Sequence, residues 1–134
     1  MSSRRLATAL CAAALLTADA GAHHSQVMFE TAQVTLAGTV ARFEFTNPHI
    51  YVFVDLAIDA VAQSYRLEGG APSALRALGW SATILQPGER VTVTFSKSKD
   101  GAKVGLLRWL LKADGKALPA GAGGDGARDS GAEP

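Results

Sequence analysis

From His49 to Ile58 the chain places Ile50, Val52, Val54, Leu56 and Ile58 on alternate positions, with His49, Tyr51, Phe53 and Asp55 between them. A period of two, carried by β-branched and aromatic side chains, commits this segment to a strand with one face in a core. Such a strand needs neighbours on both edges and other apolar faces to cover it. The rest of the chain must therefore be read for further strands.

Upstream, Val34, Leu36, Gly38 and Val40 alternate with Thr35, Ala37 and Thr39, but past Arg42 the apolar set moves to Phe43 and Phe45. An odd shift would turn the core face to water, so a bulge or sharp bend is expected between Gly38 and Arg42. Thr46-Asn47-Pro48 forms the turn into the second strand. Ala62 to Glu68 reads as a short third strand, broken by Gly69-Gly70. Pro72 suits a first helical position, Leu75 and Leu78 lie three apart, and Gly79 suits a left-handed cap. One short helix over Pro72 to Leu78 is predicted, with Trp80 plugging an end of the core. Gln86-Pro87-Gly88-Glu89 is a type II turn opening a fourth strand from Arg90 to Phe95. Asp100-Gly101 marks a hairpin into a fifth, Val104 to Leu111, stopped by Asp114-Gly115. This order predicts a mainly β fold, a small five-stranded OB-like Greek-key barrel with one short helix between strands three and four. Such barrels bind ligands on the face of strands two and three. A two-layer β-sandwich is the alternative.

The two ends have other compositions. Arg4 and Arg5 precede an uncharged apolar run from Leu6 to Ala18, followed by Ala20-Gly21-Ala22. That is the layout of a secretory signal cut before His23, with a second frame, Ala18-Asp19-Ala20, cut before Gly21. The run is shorter than the ~20 residues of a membrane span, so no stable membrane insertion is expected after cleavage. Cys11, the one cysteine, lies inside the run behind Leu10, which argues against a lipid anchor and leaves the processed chain without thiols. Residues 119–134 are mostly Gly, Ala and Asp and are read as a disordered tail. The division is thus a signal over 1–22, an OB-like domain over 23–118 and the tail, in a periplasmic or secreted protein. Taking Arg4 and Arg5 from 13 basic residues and Asp19 from 12 acidic ones leaves 11 of each. A balance of that kind carries no electrostatic footprint for nucleic acid.

All three histidines, His23, His24 and His49, fall in or near two short motifs. A chain beginning His23-His24-Ser25 offers an α-amine and two imidazoles within a few bonds, donors suited to Cu(II) or Ni(II). Adventitious binding at a solvated terminus is the plainer reading of that motif. His49 follows Asn47-Pro48 and shares a strand face with Tyr51 and Phe53. Its plainer role is a structural histidine bonding a nearby carbonyl; the sharper one is a third copper ligand met by the folded-back N-terminal arm. Tyr51, Phe53 and Phe43 or Phe45 could form a stacking platform, with Asn47 and Glu68 as further ligand-face candidates. No His/Glu pair has helical spacing, and nothing supports a Ser-His-Asp site, so no catalytic residue is assigned.

His23-His24-Ser25, Gly38-Thr39-Val40, Asn47-Pro48-His49, Pro72 with Leu75, Gly79-Trp80, Pro87-Gly88 before Val91-Thr92-Val93, and Lys99-Asp100-Gly101 together resemble a family of short exported bacterial proteins. That family is known as a domain of unknown function, and the similarity runs from about His23 to Gly115. The resemblance implies an exported β-rich domain and marks His23, His24, Asn47, Pro48, His49, Glu68 and Trp80 as matching positions. Phe45 and Tyr65 stand where the family pattern has Trp, and Leu111-Lys112-Ala113 also departs from it.

Three functions are consistent with these residues. The leading one is a non-enzymatic periplasmic binding module holding copper through His23, His24 and His49. A protein or small-ligand interaction domain with incidental histidines is the second. A copper-dependent oxidase with an N-terminal His-brace is the third, and it requires an open coordination position.

Overall fold

The computed structural model describes residues 27–121. Its elements are β1 (Phe29–Phe45), β2 (Ile50–Ile58), β3 (Val61–Glu68), α1 (Pro72–Arg76), β4 (Arg90–Ser98), β5 (Val104–Lys112) and β6 (Ala117–Pro119). The fold is mainly β, with the single short helix between β3 and β4 as the sequence predicts. No helix among the described residues is long and apolar enough to cross a membrane.

One sheet runs in the order β3-β2-β1-β4-β5-β6, and β3 also pairs with β5, so the sheet closes into a ring. The closing pair is parallel, Arg66–Glu68 against Val104–Leu106; the other ladders are antiparallel. A single closing sheet replaces the two-layer sandwich alternative. β1 serves both sides of the ring because it is bent: its register with β2 shifts between Val40 and Arg42, leaving Ala41 extra. Gly38 sits where β1 crosses β2 so closely that a Cβ would lie 2.6 Å from the Asp55 carbonyl oxygen. The predicted bulge thus keeps Phe43 and Phe45 on the inner side with Val34, Leu36 and Val40.

The inner wall is built from the alternating sets. Ile50, Val52, Val54 and Leu56 of β2 meet Tyr65 and Leu67 of β3, Val91, Val93 and Phe95 of β4, and Leu107 and Leu110 of β5. The helix is shorter than predicted. Gly79, at φ 94°, donates to Arg76 O while Trp80 N–H reaches Leu75 O, a closure that buries Leu75 and leaves Leu78 exposed. Trp80 does plug the core, and its Nε1–H donates to Pro119 O at 2.8 Å. No local pattern marks β6, and the folded domain continues past residue 118: Pro119 pairs with Trp109, and Ala120 is fully buried.

Candidate functional site

Alternation along β2 turns Tyr51 and Phe53 to the outside of the ring. The register sets Glu44 and Glu68 on either side of Tyr51, and Arg42 and Arg66 on either side of Phe53. One row across the outer wall is therefore acidic around a tyrosine, and the next is basic around a phenylalanine. The Arg42 guanidinium lies 3.8 Å over the Phe53 ring, that of Arg66 5.3 Å from the Tyr51 ring, and Arg42 is ion-paired to Glu44. These arginines were not identified from the sequence. Their role depends on which residue of β1 or β3 stands opposite each aromatic, and spacing alone does not reveal that.

The stacking platform does not include Phe43 or Phe45. Both point inward, Phe43 packing 6.0 Å from Phe45 and 5.9 Å from Trp80. Arginines cover the two aromatics that remain outside.

His49 closes this wall at the Asn47-Pro48 turn. The strand behind it is tied down by Ile50 N–H to Gly70 O, Gly69 N–H to Ile50 O and Gly70 N–H to Ala120 O. These bonds bring the start of β2 beside the end of β3, and His49 Nε2 stands 3.6 Å from Glu68 Oε1. Nδ1 of His49 is buried and has no hydrogen-bond partner among the described residues, so no bond from it to a nearby carbonyl is seen there. Asn47 is exposed in the turn. Burial, and next the Glu68 carboxylate, push the Tyr51 phenol above its ordinary value, against the opposing pull of Arg66. Asp55 accepts a hydrogen bond from Ser64 further along the same wall.

His23 and His24 lie outside the described residues. Among those described, no three His, Cys, Asp or Glu side chains gather as a metal site would require, so His49 and Glu68 are a pair of donors and not a closed shell. A shallow cleft of about 330 Å³ is lined by Ala37, Arg90, Leu111 and Lys112 among others, and contains none of the predicted site residues. Asp100, read from the sequence as a turn residue, is one: Ser98 Oγ and the Ala102 N–H both donate to it, which holds its carboxyl below the usual range.

Residues 11–108 match the model of DUF6152, a family of unknown function. No curated protein and no solved structure matches the chain.

Proposed function

The chain belongs to this family of unknown function, so its own residues carry the argument, and we propose that it is a non-enzymatic exported binding module holding a copper ion. The module works in the periplasm or outside the cell. His49 and Glu68 are its fixed donors, and His23 and His24 complete the shell. The observation that carries this reading is the 3.6 Å between His49 Nε2 and Glu68 Oε1. Two donors bound at ~2.0–2.2 Å from one ion stand at most about 4 Å apart, so this pair can share an ion with little movement. Imidazole, amine and carboxylate donors hold Cu(II) more tightly than Zn(II).

The N-terminal arm has the reach for this arrangement. Lys99 N–H donates to Met28 O, and Phe29 pairs with Ser98, which fixes where the arm leaves the sheet. Ser96, Leu106 and Glu68 form one row across β4, β5 and β3. From Phe29 to Glu68 is then three strand spacings and two residues of offset, about 16 Å along the sheet. His23 lies six residues ahead of Phe29, an extended reach of about 20 Å. Titration calorimetry with Cu(II) on the correctly processed chain tests the reading. His49→Ala and Glu68→Gln should each weaken binding by at least about tenfold. Equal affinity in all three chains removes both residues from the site.

The arginine-capped aromatics favour a second reading, an interaction face for a protein or small ligand. Partner binding that survives a chelator and is lost in Arg42→Ala would support it over the copper site.

A further inference from the structure

We infer that the free edge of β1 pairs with the same edge of a second copy of this chain. The ladder to β2 begins at Gly38, so Phe29 to Ala37 have β4 on one side. Among the described residues no further backbone hydrogen bond reaches their other side. An exposed strand edge with open N–H and C=O groups is a template for another extended chain.

The devices that usually blunt such an edge are confined to its start, where Glu30 and the irregular register with β4 lie. The segment has no Lys and no Pro, and Glu30 is its one charge. Its pairing with β4 is irregular between Phe29 and Gln33 and regular from Gln33 onward, which marks the second half as the docking stretch. Antiparallel pairing of two copies about Thr35 sets Val34 against Leu36 and Gln33 against Ala37, with Thr35 opposite its own copy. No like charges are opposed, so the edge is complementary to itself. Thr35 Oγ1 already lies 2.8 Å from Thr94 Oγ1, and a paired copy would extend that row of hydroxyls across the junction. An exported chain with 11 basic and 11 acidic residues adds little long-range repulsion. The inference does not depend on the copper site, which lies on another wall.

Analytical ultracentrifugation of the whole exported chain in the presence of a chelator tests it. The expected result is a mass that doubles as concentration rises and returns to one chain in the double variant Gln33→Lys, Ala37→Lys. Both positions are exposed, and an unchanged thermal melt of the variant shows that its fold is kept. Trp109→Ala, on the outside of β5, should leave the dimer intact. A single-chain mass at every concentration overturns the inference. So does a dimer that survives the two lysines, or one that forms only when copper replaces the chelator.

Discussion

The two outer walls of the ring are made of different matter. Around β2 and β3, successive rows carry Glu44, Tyr51 and Glu68, then Arg42, Phe53 and Arg66, so charge and aromatic surface alternate and partly neutralise each other. Around β4, β5 and β6 the rows are Thr35, Thr94, Trp109 and Pro119, then Ala37, Thr92, Leu111 and Ala117, with no charge in either. Trp109 and Leu111 stay 45% and 44% exposed there, whereas Phe53 on the other wall lies under an arginine. One scaffold therefore presents a polar wall ending in His49 and a wall whose Trp109 and Leu111 rows are uncharged, bounded by Arg90 and a free strand edge. The inner faces are alike in their aliphatic packing. Function is to be sought where the outer walls diverge.

The sharpest way to probe that contrast is at the seam between the walls. Leu106 lies in the row joining Glu68 to Ser96, yet is only 1% exposed. Leu106→Ala should cost about 2–5 kcal/mol in urea unfolding. Trp109→Ala, in an uncharged row, should cost roughly 1–2 kcal/mol despite the larger side chain, because half of it is already in water. A larger loss at Trp109 would mean that its wall is covered in solution.

Arg42→Ala should cost about 1 kcal/mol, for a stacked cation and an exposed ion pair together. Unlike the Trp109 loss, this one should shrink as salt rises from about 0.1 to 1 M, since screening shortens from ~10 to ~3 Å. Equal salt dependence in the two variants would break the comparison.

The smallest effect concerns pH. Tyr51 has a raised phenol pKa, so the folded chain holds that proton more tightly than the unfolded one. Its contribution is complete below the ordinary tyrosine value near 10 and is lost as pH rises through the folded value. Stability should therefore fall slightly more steeply in alkali for the wild type than for Tyr51→Phe, followed by circular dichroism. Identical slopes would detach Tyr51 from its burial and from Glu68.

How legible the fold was in the sequence differs by element. β2 and the bend in β1 could be read directly, because alternation and its odd shift after Arg42 are local signals. The hairpin joining β2 to β3 turns on Asp59 and Ala60, both at positive φ, a pair without the Gly that usually announces such a turn. β6 is three residues long and borders a Gly- and Ala-rich stretch, so its composition resembles a tail, although Leu118 and Ala120 are fully buried. In the site, His49 was visible as a motif and Glu68 as a candidate, but their proximity was not. It follows from Tyr51 standing opposite Glu68, a register fact linking residues in different strands. The orientation of Phe43 and Phe45 could have been read by carrying the inner face through the bulge from Val40.

The central claim is that a fixed imidazole from the Asn-Pro turn joins those of the N-terminus on one copper ion. Pulsed electron paramagnetic resonance of the processed chain loaded with one equivalent of Cu(II) reads coordinated imidazole nitrogens directly. The account predicts signals from His23, His24 and His49 together, with one imidazole lost in His49→Ala. An unchanged spectrum in that variant would contradict it, leaving copper on the terminus alone and the polar wall without its ion.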